Sequence, residues 1–231
     1  DPNPSDRDLS TGIKIINIHH GNKFNPYINY PFLSTEKLKA FVDKYHNEGM
    51  KIKIYYTLRM LSNHATEIWA FRSLGSEFFT GGAGGGHPWL REHFVEDYDV
   101  QWYQRNDSTD VCNGILTTSD VSRLYNYYIE GVSWLVENTG IDGLYLDDVA
   151  FGRDMLKRIR KVVSTNRPDF SIDLHSHRGA TGAPALQYAE FYPYIDKVWF
   201  GEDFLYNDMP PANWLTEASG IPFGLMGDML E

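Results

Sequence analysis

The chain alternates short strand-patterned runs with helix-patterned ones, and no other feature narrows its fold as far. GIKIINIHHG (12–21) is rich in β-branched residues and stops at a glycine, and STEKLKAFVDKYHNEGM follows it. In that second segment Leu38, Phe41, Val42 and Tyr45 recur at helical spacing. Ser34 or Thr35 is the expected N-cap and Gly49 the stop. KIKIYYTLRML (51–61) reads as a second strand, and a long stretch of about 62–118 reads as irregular or partly helical. The alternation then resumes with the helix SRLYNYYIEGVSWLVENTG, the strand IDGLYLDD and the helix GRDMLKRIRKVVSTN. FSIDLHSH, KVWFGEDF and IPFGLMGDM supply further strands, with PALQYAEFYPYI and WLTEAS expected as helical links.

Strands alternating with helices predict a parallel sheet with right-handed crossovers. The Gly-rich nucleotide turn of a doubly wound sheet is missing. The expectation is therefore a TIM-type (β/α)8 barrel, incomplete in this chain because about six to seven strands are countable rather than eight. A single domain over residues 1–231 is expected, as part of a longer multidomain chain with flanking domains.

Parity along each strand sorts the side chains between the helix layer and the barrel interior. In GLYLDD, Leu144 and Leu146 face the helices, which sends Tyr145 and Asp147 inward. In SIDLHSH the same rule sends Asp173 and His175 inward, with His177 the next position of that parity past the strand, and in KIKIYYTLR it sends Lys53, Tyr55, Thr57 and Arg59 inward. KVWFGEDF ends in Glu202 and Asp203, and the first strand ends in His19, His20 and Asn22. Four or five strands thus finish in polar groups at the carboxyl end, where barrels build their active sites. Singly, Asp148 and Asp203 fit the role of helix N-cap equally well.

Carboxylates on separate strands, with aromatics between them, suit glycoside hydrolysis. In one arrangement Asp147 faces Glu202 across the pocket, one as nucleophile or base and the other as acid. In another the adjacent Asp147 and Asp148 act on a 2-acetamido sugar whose own acetamide attacks the anomeric carbon. Arg59, His19, His20, Tyr145, Asp173, His175, Trp199 and Asp203 are the expected substrate-binding residues.

The abundance of Trp (6) and Tyr (15) is compatible with sugar stacking or with core packing. A metal-dependent hydrolase is the rival chemistry, through His19-His20, His175-x-His177 and the Asp doublet, but no HExxH or paired-Cys spacing is present. A non-catalytic carbohydrate-binding barrel is the other alternative. No cofactor is expected. TGGAGGGHPW (80–89) lacks the GK[ST] of a P-loop and reads as a loop over the site, with His87 and Trp89 within reach of ligand. A net charge of −10 argues against a nucleic-acid partner. No apolar run is long enough to span a membrane.

HHGNKFNPYINYPF, YYTLRMLSNHATEIWAFRSLG, SRLYNYYIEGVSWL, GIDGLYLDDVAFGR, SIDLHSH, WFGEDFLYN and GIPFGLMGDML together resemble a large bacterial family of glycoside hydrolases, related at a distance to glycoside hydrolase family 123. The resemblance implies a (β/α)8 catalytic barrel inside a longer chain, acting on a complex glycan. It also implies a polysaccharide-degrading bacterium of the Bacteroidetes type, and a periplasmic, extracellular or outer-membrane-associated location. Family 123 carries an Asp-Glu catalytic pair that works by substrate assistance. Here the matching stretch is LDD, so Asp147 aligns with the orienting residue and Asp148 stands where the acid Glu would be. Family 84 enzymes use such an Asp-Asp doublet. In the clan of families 27, 31 and 36 the nucleophile lies on strand four and the acid on strand six. GLYLDD and WFGED would fall near those places if one strand preceded residue 12.

Overall fold

The structure, a computed structural model, describes residues 2–58, 60–79, 104–106, 111–115, 122–147, 149, 151–175, 189–202, 204, 207–219 and 226–229. Six strands form one parallel sheet: β1 (Ile15–Ile18), β2 (Lys51–Tyr55), β6 (Gly143–Leu146), β7 (Ser171–His175), β8 (Lys197–Phe200) and β9 (Met226–Met229). They pair in chain order without reversal, which is the winding of a barrel wall and not of a doubly wound sheet. Between β2 and β6 the chain inserts a small antiparallel sheet of β3 (Met60–Ser62), β4 (Gln104–Asn106) and β5 (Val111–Ile115), in the order β3-β5-β4.

That insertion corrects two expectations. The stretch 62–118 contains strands, and the single strand expected over 51–61 is two. The cause is Asn29, whose backbone sits at φ 54 and whose side chain substitutes for sheet partners. Its Oδ1 accepts from Thr57 N (2.8 Å) and its Nδ2 donates to Met60 O (2.6 Å). Residues 56–58 thereby leave the parallel ladder without orphaning their backbone groups. Part of the helix expected over 184–195 is also overturned: residues 189–191 turn and Tyr192–Tyr194 form one 3-10 turn around Pro193, which cannot donate to a helical ladder.

The helices fall close to where their apolar spacing puts them. α1 spans Asp6–Ser10, α2 Thr35–Asn47, α3 Ile68–Arg72, α4 Leu124–Thr139, α5 Arg153–Asn166 and α6 Pro211–Ser219. α2 buries Leu38, Phe41, Val42 and Tyr45, although Ser34, its N-cap, makes no side-chain capping bond. α4 ends at Gly140, left-handed at φ 73, so glycine relieves there the strain a Cβ would suffer.

Strand parity divides the sheet as expected. Ile16, Ile18, Ile52, Ile54, Leu144, Leu146, Ile172, Leu174 and Val198 join the buried residues of α2, α4 and α5 in one core. The opposite face carries Lys53, Tyr55, Tyr145, Asp173, His175 and Trp199, which the register aligns across neighbouring strands.

At the amino ends of the strands, aspartates tie neighbours together. Asp142 Oδ2 accepts from Ile52 N (2.7 Å) and meets His46 Nε2 (2.6 Å), while Oδ1 faces Arg167 (3.3 Å). Asp196 Oδ2 repeats the device on Ile172 N (2.7 Å) and Arg160 (2.6 Å). These carboxylates lie at the end of a barrel that serves stability.

Candidate active site

The inward face rises in layers. Lowest is a buried ion pair, Lys53 Nζ to Asp173 Oδ1 at 2.5 Å, with the two side chains 3% and 2% exposed. Lys53 also donates to Ser171 Oγ (2.9 Å), and Trp199 Nε1 donates to Asp173 Oδ2 (3.0 Å). Gly143 makes this crossing possible. It lies inward between Lys53 and Ser171, and a Cβ there would come 2.5 Å from Ser171 O and 2.8 Å from Lys53 Cγ. Asp173 is thus held by two inward neighbours beneath the rim, where burial leaves it an orienting role towards Trp199.

Above it comes an aromatic layer of Tyr55, Tyr145 and Trp199, with ring centroids 6.0 Å apart for both Tyr55–Tyr145 and Tyr145–Trp199. Burial first, and the Asp147 charge second, push the Tyr145 phenol far above its usual range, so it stays an O–H donor. Lys197 Nζ lies 4.5 Å from the centre of the Trp199 ring.

At the carboxyl end three ionisable groups meet. Asp147 follows β6, His175 ends β7 and Glu202 follows β8. Asp147 Oδ1 lies 2.6 Å from His175 Nδ1, and Oδ2 accepts from the Tyr55 hydroxyl at 3.0 Å. Glu202 Oε2 is 2.9 Å from His175 Nε2. The imidazole, 4% exposed, therefore separates two carboxylates, Asp147 at 21% and Glu202 at 47% exposed. Thr57 Oγ1 donates to the Asp147 carbonyl (2.9 Å), which fixes the strand end itself.

The loop after β1 closes one side. Gly21 turns at φ 86, and Asn22 Oδ1 accepts from Phe24 N and Asn25 N while its Nδ2 donates to His19 O. His19 and His20 are thereby packed on Tyr55, with centroids at 4.5 and 4.8 Å. Desolvation against these rings holds His19 below its ordinary value. His20 is pushed down to about 4, by desolvation first and His19 second. Both rings are neutral near pH 7 and act as hydrogen-bonding groups rather than cations.

Of the residues singled out in the sequence, Asp147, Glu202, His175, Tyr145, Trp199, His19 and His20 gather at this end, with Asp173 one layer below. Arg59, Asp148, Asp203, His177, His87 and Trp89 lie outside the described residues. The N-cap of α5 is Gly152, and α6 begins at Pro211. Two contributors, Tyr55 and Thr57, were legible only as inward-facing. Their contact with Asp147 depends on register between β2 and β6. Among the described residues no cluster of three or more His, Cys, Asp or Glu is placed to hold a metal ion, and no helix is long and apolar enough to cross a membrane.

Comparison with solved structures gives the same architecture at low identity. The cyclic alpha-maltosyl-(1→6)-maltose hydrolase of Arthrobacter globiformis superposes with a TM-score of 0.63 at 12% identity, over 97% of this chain and 53% of that one. The maltogenic amylase of S. marinus gives 0.60 at 14%, over 96% and 36%. The maltogenic alpha-amylase AmyB of Thermotoga neapolitana gives 0.55 at 16%, over 84% and 41%. The chain thus spans about a third to a half of the length of these structures, and the likeness establishes the fold. Comparison with curated proteins gives no match. The model of the family described as "Glycoside hydrolase 123, TIM-barrel domain" matches residues 2–231. That match runs through every layer of the inward face, from Lys53 to Glu202, and the chain belongs to the glycoside hydrolase 123 TIM-barrel domain family.

Proposed function

We propose that this barrel hydrolyses glycosidic bonds in a complex glycan at the rim formed by Asp147, His175 and Glu202. The supporting observation is the carboxylate–imidazole–carboxylate chain across the ends of three adjacent strands. His175 Nδ1 is hydrogen-bonded to Asp147, while Glu202 Oε2 lies 2.9 Å from Nε2 without hydrogen-bond geometry and stays accessible to a substrate. Glu202, the more exposed of the two carboxyls, is suited to act as the acid that protonates the glycosidic oxygen. The C–O bond then breaks with its electron pair on the leaving oxygen. Asp147, held by Tyr55 and His175, keeps its charge and faces the developing oxocarbenium ion.

The imidazole and its contacts of 2.6 and 2.9 Å stand between the two carboxylates and hold them farther apart than the about 5–5.5 Å of a retaining pair. That spacing favours a third group acting at the anomeric carbon, either a water or the substrate's own 2-acetamide oxygen. In the second case Asp147 orients the acetamide and Asp148 is the alternative acid, as the family likeness implies. Tyr145 and Trp199 would supply the sugar platform.

Hydrolysis of a glycan panel by the wild type and by Asp147→Asn and Glu202→Gln tests the assignment. Loss of about 100-fold or more in kcat/KM is expected for each variant that removes a reacting carboxylate, and unchanged rates in both would remove it. A non-catalytic carbohydrate-binding barrel is the second reading, favoured by the engagement of both Asp147 oxygens. It predicts calorimetric binding of glycans without turnover.

A further inference from the structure

Helix α4 uses one side for the core and leaves another stripe to be explained. Tyr127, Glu130, Gly131 and Trp134 follow one another at i, i+3, i+4 and i+7 and share a face. With Phe32 and Glu67 they line an open cleft of about 280 Å³ on the outer wall of the barrel, sharing no residue with the rim. That volume falls just below the about 300–1,000 Å³ of ordinary ligand sites and suits a ligand of one ring.

The cleft is built from specific groups. Trp134 is 43% exposed, unusual for so large an apolar ring, and its centroid lies 5.9 Å from that of Phe32 at 59°. Glycine weakens a helix interior, yet Gly131 is needed here. A Cβ would sit 2.6 Å from the Tyr56 hydroxyl and 3.1 Å from Phe32 Cζ. Glu67 Oε2 is fixed by the hydroxyls of Tyr30 (2.7 Å) and Thr66 (3.1 Å). The Tyr127 hydroxyl is buried and makes no hydrogen bond among the described residues. Desolvation keeps it protonated, and the ring contributes its apolar edge to the cleft wall.

We propose that the Phe32–Trp134 cleft is a second carbohydrate-contact site, taking one neutral sugar ring. An aromatic face matches the apolar C–H face of a pyranose, and carboxylates accept from neighbouring sugar hydroxyls. Among the described residues the lining holds two carboxylates and no cationic group, which selects against uronic and sulfated sugars. A protein partner would need a far larger buried surface, about 1,000 Å² or more, than a cleft of one sugar's size offers. The site stands apart from the rim and does not require turnover there.

The test uses the protein with ¹⁵N-labelled tryptophan indoles. Glucose, galactose, N-acetylglucosamine, N-acetylgalactosamine and glucuronate are titrated separately in the millimolar range. The Trp134 signal, assigned by its loss in Trp134→Phe, should shift saturably with at least one neutral sugar and less with glucuronate. The shift should persist in Asp147→Asn. It should weaken by about threefold or more in Glu130→Gln, as loss of one hydrogen bond requires. Absence of a shift with all four neutral sugars would overturn the proposal, as would an equal response to glucuronate or disappearance of the response in Asp147→Asn. A Trp134 signal that moves with protein concentration alone would assign the face to a second copy of the chain, and would also overturn it.

Discussion

Replacing Lys53 by methionine should cost more than the ion pair it breaks is worth. At 2.5 Å, with an effective dielectric near 20, the Lys53–Asp173 attraction is about 6–7 kcal/mol. Burial of both groups costs several kcal/mol each, so the pair contributes little net. Lys53→Met leaves the Asp173 carboxylate buried with Trp199 Nε1 as its remaining inward donor besides Ser171, and the expected loss is about 3–5 kcal/mol. For a domain of this size that lowers Tm by roughly 10 °C. Lys53→Met with Asp173→Leu removes both charges and leaves only the Trp199 and Ser171 polar groups to be satisfied. It should lose about 1–3 kcal/mol, less than the single variant. Urea unfolding, followed by tryptophan fluorescence and analysed by midpoint and slope, measures both. A Lys53→Met loss under about 1 kcal/mol, or a double variant worse than the single one, would refute the view that Asp173 depends on Lys53.

Three further outcomes follow from the same geometry. Gly143→Ala would ordinarily be mild in a strand, but its Cβ meets backbone Ser171 O and the Lys53 stem. About 2–3 kcal/mol should be lost in thermal unfolding, and a neutral result would show that Lys53 can take another path. Asp142→Ala leaves Ile52 N, His46 and Arg167 without their shared acceptor at the base of the sheet. It should cost about 3 kcal/mol while kcat per folded molecule stays unchanged, and a selective fall in kcat would contradict its structural role. His20, lowered from 6.5 to about 4, holds fewer protons folded than unfolded between those values. Its neutral state therefore contributes stability fully above about pH 6.5, which is lost as pH falls towards 4. The wild-type urea midpoint should drop more steeply than that of His20→Gln across this window, and parallel curves would count against the half-buried, neutral imidazole.

The sequence was most readable where side-chain parity decides the outcome. Leu144 and Leu146 against Tyr145 and Asp147, or Ile172 and Leu174 against Asp173 and His175, alternate cleanly because one face meets helices and the other the barrel interior. The count of six strands followed from the same pattern. Less readable were contacts that depend on register between strands. Nothing local in KIKIYY says that Tyr55 reaches Asp147, or that Lys53 passes over Gly143 to Asp173, since these meet only when β2, β6 and β7 are aligned. The break after Tyr55 was hidden for a similar reason. Its cause is a side chain 28 residues away, Asn29, bonding to Thr57 N. The small antiparallel sheet escaped because β3 and β4 are only three residues long and β5, VCNGI, does not alternate apolar with polar residues.

The central claim is that the Asp147–His175–Glu202 rim is where a glycan reacts. A crystal structure of Asp147→Asn soaked with an intact oligosaccharide that the wild type cleaves tests it most directly. The account predicts a sugar ring against Trp199 and Tyr145, with its glycosidic oxygen within hydrogen-bond reach of Glu202, about 2.6–3.2 Å. It also predicts the anomeric carbon facing residue 147. A rim without bound sugar, or a ring there with the Glu202 carboxylate turned away from the scissile bond, would contradict it.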